Sequence, residues 1–149
     1  MASIVTRYTV QLIKEESHKY EIDKILDQPK EVIKFLREVV KIQENAEEVL
    51  ILIALDTKNR TIGFFEVSRG SINSAVLNPR EIFKRALLCN AKSIILAHNH
   101  PSGSAEPSKE DIALTKRAFE AGKIIDINLL DHIIIGDPDS TSLKTKGII

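Results

Sequence analysis

Two histidines one residue apart, His98 and His100, follow an apolar stretch, Ser93–Ala97, that has the composition of a buried β-strand. Side chains two residues apart on a strand point to the same face of the sheet, so the two imidazoles should converge on one point. Imidazole nitrogen is among the commonest zinc ligands in proteins. The pair is therefore the first part of a predicted metal site.

A third ligand is predicted at Asp111, in the first turn of the next helix. The intervening loop, Pro101–Pro107, contains a glycine and two prolines that can reverse the chain. If Ser108 is the N-cap of the helix, Asp111 is its N3 residue, where backbone N–H groups and the helix dipole favour an ionised carboxylate. His98, His100 and Asp111 then form a Zn²⁺ site of the catalytic kind, with the fourth position left for water.

The same residues allow a simpler interpretation. Ser108 and Asp111 also match an ordinary capping box, and histidines at strand ends are often structural or solvent-exposed. What favours the metal site is the combination, because two of the four histidines lie two apart and a serine and a carboxylate follow at short range.

A zinc-activated water that attacks an amide needs a base to accept its proton and return it to the leaving amine. Glu66 is the leading candidate, because it continues the strand pattern Ile62, Phe64, Glu66, where apolar surroundings would raise the pKa of its carboxyl group. A solvent-facing glutamate at a strand end is the alternative. Ser108 has a hydroxyl that can cap the helix and also donate a proton to an oxyanion.

The elements that must position these residues follow from apolar periodicity. We expect an amphipathic helix from Pro29 to Val40, an antiparallel hairpin of Val49–Leu55 and Thr61–Val67, and a helix capped by Asn78 that ends near Leu88. Further expectations are a possible edge strand over Arg7–Lys14, a helix Lys109–Ala121 stopped by Gly122, β-rich runs Lys123–Asn128 and Leu129–Ile135, a turn at Gly136–Asp139 and a short strand near Ser142. This order predicts an α/β protein with a mixed sheet flanked by helices.

The spacing His-x-His, seven residues, Ser, two residues, Asp resembles the JAMM motif of MPN-type metallopeptidases. The wider chain resembles the catalytic domain of RadC-type proteins, on the stretches Arg69-Gly70, Asn78–Glu81, Ile95–Gly103, Pro107–Ile112 and Leu130–His132. The resemblance covers roughly residues 30 to 149. It implies that residues 1–149 form a single MPN (JAB)-type domain of cytidine-deaminase-like architecture, with residues 1–28 as an N-terminal strand or extension.

The resemblance also implies an activity. It points to a zinc-dependent metallohydrolase, a peptidase or isopeptidase, that acts on a peptide or on an isopeptide-linked protein. Within it, Glu66 best matches the general base that the family takes from an upstream strand, and Ser108 matches the oxyanion donor. Asp131 and His132 are candidates for hydrogen bonds behind the ligands, although a purely structural pair fits them equally well.

Composition narrows the class of protein. Equal numbers of basic and acidic residues, 21 of each, give no support for binding a polyanion. No apolar run is long enough to span a membrane and the N-terminus lacks the features of a signal peptide, so we expect a cytoplasmic protein. The single cysteine, Cys89, cannot form an internal disulfide and is expected in or beside the core.

Two other functions stay open at this point. One is a DNA-repair-associated accessory role, which the family name suggests, although the zero net charge leaves DNA binding weakly supported. The other is an interaction module that keeps the fold without turnover. A cytidine deaminase is excluded because it needs a Pro-Cys-x-x-Cys segment, and an HNH nuclease because its residues are dispersed along the chain. Short length and exposed strand edges are consistent with a homodimer.

Overall fold

The computed structural model describes residues 1–21, 25–70 and 77–149. Residues 22–24, within the expected N-terminal extension, and residues 71–76 lie outside the described residues. Helix α1 (Pro29–Phe35) continues into a turn of π-helix (Leu36–Val40) and is followed by a short 3₁₀ turn (Ile42–Glu44). The remaining elements are β1 (Val49–Leu55), β2 (Thr61–Arg69), α2 (Pro79–Leu88), β3 (Ser93–Asn99), α3 (Lys109–Ile125), β4 (Asn128–Ile135) and β5 (Ser140–Ser142).

The five strands form one mixed sheet in the order β2-β1-β3-β4-β5. Strand β1 is antiparallel to both β2 and β3, whereas β3 and β4 are parallel and are joined by α3. The last strand, β5, is antiparallel to β4. The predicted single α/β domain with a mixed sheet flanked by helices is confirmed, and so is the hairpin of β1 and β2.

Helices cover both faces of the sheet. On one face, α2 and α3 bury their apolar residues against Leu50, Leu52, Ile94 and Leu96. On the other face, α1 and the π-helical turn pack against Ile51, Ile53, Ile95 and Ile133. Strands β1 and β3 are buried along their whole length because they are covered on both sides. In the described parts of the chain, no helix combines the length and the apolar character that a membrane crossing requires.

The predicted strand over Arg7–Lys14 is wrong. Residues 1–20 lie outside any helix or strand, and the alternating side chains remain exposed, Tyr8 by 84% and Val10 by 71%. Alternating apolar side chains give a strand one apolar face, but a strand also needs a neighbouring strand for its backbone hydrogen bonds. No described strand pairs with this segment, so the local pattern has nothing to pack against.

The predicted end of the third helix at Gly122 is also wrong, and Lys123–Asn128 is not a β-rich run. Helix α3 continues to Ile125 and is ended by Asp126, whose φ of 58° is left-handed. Gly122 instead allows the helix to pack closely against its neighbours. A Cβ at this position would clash with the Ile127 carbonyl oxygen and lie 3.3 Å from the Phe83 ring. At the second helix, Asn78 precedes the first residue as expected but its side chain makes no capping hydrogen bond.

Gly122→Ala is therefore expected to destabilise the domain by about 1–3 kcal/mol, the usual cost of an overpacked contact. The Ile127 carbonyl is backbone and cannot turn aside as a flexible side chain would. Urea unfolding followed by circular dichroism measures the change. Gly63→Ala is the control, since a Cβ there meets nothing within 4 Å, and equal stability of the two variants would contradict the close-packing role.

Candidate metal centre

Three chain segments meet where β3 ends. His98 belongs to β3 and His100 follows it, Asp111 lies in the first turn of α3, and Glu48 directly precedes β1. Because β1 runs antiparallel to β3, its start lies beside the end of β3, with Leu50 opposite His98. One ligand atom from each of Glu48, His98, His100 and Asp111 lies within 4.8 Å of the others.

The two histidines converge as their spacing predicts. Their Nε2 atoms are 2.9 Å apart, and the His98 ring is fully buried. The other nitrogen of His100, Nδ1, lies 2.8 Å from the Ser104 carbonyl oxygen. A carbonyl only accepts, so Nδ1 of His100 carries the proton and its Nε2 presents a lone pair toward the cluster. The loop Pro101–Pro107 thus orients one of the predicted ligands.

Asp111 is held in place by the capping box that the sequence predicts. Ser108 Oγ accepts from the Asp111 backbone N–H at 3.0 Å, and Asp111 Oδ2 accepts from the Ser108 backbone N–H at 2.7 Å. Burial raises the pKa of the Asp111 carboxyl, but hydrogen bonding and charge from His98 and the Ser108 backbone lower it by more, so that the pKa lies well below its ordinary value. The carboxylate therefore stays ionised, as a metal ligand must.

Glu48 was missed by the sequence reasoning. Its Oε1 lies 3.8 Å from His98 Nε2 and 3.6 Å from His100 Nε2. Asn99, the residue between the two histidines, points to the opposite face, where its amide accepts from Val49 N and donates to the Glu47 carbonyl at 2.9 Å. That clamp holds the segment carrying Glu48. Strand alternation could have indicated Glu48, because it lies two residues before Leu50 and so faces the same side of the sheet as Leu50.

Glu66, the predicted general base, is not part of this cluster. In the β1–β2 register it lies opposite Ile51, which faces α1, whereas His98 lies opposite Leu50 on the other face of the sheet. Its side chain is 45% exposed and forms an ion pair with Arg69 at 2.7 Å. The apolar surroundings expected for Glu66 are therefore absent, because its stretch of β2 is open to solvent.

Asp131 and His132 point to opposite faces of β4 and have different partners. His132 is fully buried behind His98, with its Nε2 2.8 Å from His98 Nδ1. Burial holds the pKa of His132 well below its ordinary value, so the ring is neutral. Asp131 accepts from the Ser142 hydroxyl at 2.6 Å and from the Lys144 backbone N–H, and so fastens β5 and the turn that follows it. Only the histidine lies behind the cluster.

The donor set fits a small divalent cation. Asp111 oxygens lie 3.1 Å from His98 Nε2 and 3.2 Å from His100 Nε2. In a tetrahedral zinc site with bonds of 2.0–2.1 Å, ligand atoms are separated by about 3.3 Å, close to these values. The Glu48 oxygen lies farther out, so that two imidazoles and one carboxylate form the compact part of the cluster. The group can therefore hold a metal while Glu48 stays beside it.

The chain is similar to known sequences over most of its length. A sequence model of the RadC-like JAB domain matches residues 26–148. A UPF0758 protein of Desulforamulus reducens is 55% identical over 102 residues, which make up 68% of this chain and 45% of that protein. One of Clostridium perfringens is 47% identical over 124 residues, 83% of this chain and 54% of that protein.

An archaeal relative extends the match. The UPF0758 protein of Methanococcoides burtonii is 44% identical over 140 residues, which are 91% of this chain and 60% of that protein. The chain thus spans about half the length of the curated relatives it matches. With most of its residues matched by the family model and by these relatives, the chain belongs to the RadC-like JAB domain family.

Proposed function

We propose that this domain is a zinc-dependent hydrolase of amide bonds, a peptidase or isopeptidase of the JAMM type. The observation that carries the proposal is the convergence of Glu48, His98, His100 and Asp111 within 4.8 Å. Two imidazoles and one carboxylate are a ligand set of catalytic zinc sites, which keep a position open for water. Membership of the JAB domain family, which includes metallohydrolases, is consistent with this chemistry.

Each residue of the cluster has a distinct task in this proposal. His98, His100 and Asp111 would hold the ion, which would supply Lewis acidity and lower the pKa of a water beside it. Glu48 accepts a proton from the attacking water and returns it to the leaving amine. Its carboxylate suits this task because it lies 3.6 Å and 3.8 Å from the two ligand nitrogens, beside the metal position. In this role Glu48 replaces Glu66, which faces the other side of the sheet.

Ser108 keeps the role of oxyanion donor that its sequence position suggests. Its Oγ accepts a hydrogen bond from the Asp111 backbone, and accepting leaves the hydroxyl proton for another acceptor. A hydroxyl held at the helix N-terminus can donate that proton to the oxyanion formed from the amide carbonyl. The substrate we propose is therefore a peptide or an isopeptide-linked protein, with the scissile carbonyl directed toward Ser108.

Metal content tests the proposal first. Protein purified without added metal should contain about one zinc per chain, and His98→Ala/His100→Ala should lose it, because the remaining Asp111 and Glu48 carboxylates fall short of the three protein ligands of a catalytic zinc site. His18→Ala is the matched control, since that histidine is exposed and pairs with Glu16 outside the cluster. Zinc is measured by mass spectrometry, and hydrolysis is then assayed on a panel of peptide and isopeptide-linked substrates.

Two results would count against the proposal. If folded wild-type protein binds no zinc even when zinc is added, the hydrolase fails and the interaction module becomes the better explanation. If zinc binds equally well to the double variant, the ion occupies a different site.

A further inference from the structure

A row of buried hydrogen bonds runs from His98 back to the helix that carries Asp111. His98 Nδ1 lies 2.8 Å from His132 Nε2, and His132 Nδ1 lies 2.6 Å from the Thr115 hydroxyl. The same hydroxyl lies 2.6 Å from the backbone carbonyl oxygen of Asp111. His98, His132 and Thr115 are all fully buried. Both ends of the row are thus residues of the metal cluster.

The partners in this row determine where its protons lie. A carbonyl oxygen can only accept, so the single hydroxyl proton of Thr115 goes to the Asp111 carbonyl. The Thr115 oxygen must then accept from His132, which places the proton of that neutral ring on Nδ1. His132 Nε2 is left with a lone pair and accepts from His98 Nδ1. When His98 is neutral, its Nε2 is then the nitrogen that presents a lone pair to the metal position.

The opposite order of protons conflicts with the geometry. If Thr115 donated to His132 instead, the hydroxyl oxygen would present a lone pair to the Asp111 carbonyl oxygen at 2.6 Å. Two acceptors at that distance repel each other, and no water can relieve the contact in a fully buried site. Every hydrogen bond in the row therefore donates in the same direction, from His98 through His132 and Thr115 to the Asp111 carbonyl.

We propose that His132 and Thr115 are positioning residues that fix the proton of His98 on Nδ1 and so direct its Nε2 lone pair at the metal. The proposal rests on the proposed metal binding and adds two residues to it. His100 is oriented separately, by the Ser104 carbonyl on the exposed loop. His98 and Asp111, in contrast, are joined by the same row of hydrogen bonds, on the side of His98 that faces away from the metal position.

Thr115→Val tests the row directly. Valine keeps the shape of threonine but removes the hydroxyl, so His132 loses the acceptor that holds its proton on Nδ1. Zinc affinity, measured by competition with a chromophoric chelator, should fall about 10- to 100-fold. Thr115→Ser keeps the hydroxyl and should restore most of the affinity. Ser142→Ala is the control for losing a buried hydroxyl, since Ser142 bonds Asp131 on the other face of the sheet.

Nitrogen-15 NMR of the histidine rings gives a readout that needs no metal. In metal-free wild-type protein, His98 and His132 should both carry a proton on Nδ1, because His98 Nδ1 faces His132 Nε2 and His132 Nδ1 faces the Thr115 hydroxyl. In Thr115→Val this preference should be lost at His132 and weakened at His98. Thermal unfolding of each variant by circular dichroism confirms that the comparison is made between folded proteins.

The outcomes separate the two proposals. A proton on Nε2 of His132 in the wild type, or wild-type zinc affinity in folded Thr115→Val, overturns the positioning role. If the wild type binds no zinc, the proposed function fails, and the metal-free spectra alone decide whether the row holds the His98 proton on Nδ1.

Discussion

Glu48→Gln is expected to keep zinc bound and to lower kcat by about 10²- to 10⁴-fold, the contribution typical of a general base. Glutamine has nearly the same shape as glutamate, but its amide cannot accept a proton from water at neutral pH. The ion should remain because the Asp111 oxygens, at 3.1 Å and 3.2 Å from the histidine nitrogens, lie closer to them than Glu48 does. Zinc content and steady-state hydrolysis of the best substrate from the panel measure the two effects separately.

Glu66→Gln is the matched control for that result, because it makes the same chemical change on the opposite face of the sheet. It removes an exposed ion pair with Arg69, and such pairs contribute only about 0–1 kcal/mol to stability. Its kcat should equal that of the wild type. The assignment of the base would be overturned if Glu66→Gln lost turnover while Glu48→Gln kept it.

Gly136→Ala is expected to weaken zinc binding and to destabilise the domain together. A Cβ at this position would clash with the Gly103 carbonyl oxygen and approach the Ala105 nitrogen to 2.9 Å. Both atoms are backbone of the loop whose Ser104 carbonyl orients His100. Displacing that loop should cost about 1–3 kcal/mol of unfolding free energy and lower zinc affinity about 10- to 100-fold. Urea unfolding and chelator competition measure these changes.

Gly122→Ala separates the two effects of Gly136→Ala. It also overpacks a backbone contact, but it lies eleven residues beyond Asp111 on α3, about 16 Å along the helix. It should therefore lower stability and leave zinc affinity unchanged. If both variants lost zinc to the same extent, the loss would reflect general destabilisation, and the specific role of the loop would be wrong.

The parts of the site that could be predicted from the sequence are those encoded by short-range spacing. A spacing of two residues along a strand brings His98 and His100 to one face. A serine three residues before an aspartate forms the capping box of α3. The structure brings these residues together with Asp111 as expected. Helices α1 and α2 and the β1–β2 hairpin follow from apolar periods in the same way.

Which glutamate lies beside the cluster depends on how the strands pair. The alternation that places Ile62, Phe64 and Glu66 on one face is correct, but it does not tell which face of the sheet the histidines occupy. The register settles this, with Glu66 opposite Ile51 and His98 opposite Leu50. Strand alternation also breaks near this point, because an irregularity between Leu50 and Ile51 leaves Val67 without an opposing residue.

The sequence by itself determined the fold class and the three candidate ligands, because the periods of strands and helices and the chemistry of a helix N-terminus act over a few residues. Only the tertiary structure brought in Glu48, 50 residues before His98, and showed that His132, 34 residues after His98, is the member of the Asp131–His132 pair that lies behind it. It also decided that Gly122 packs closely inside a helix and that residues 7–14 pair with none of the described strands. These features depend on which distant segments lie side by side, and local periodicity carries no record of that.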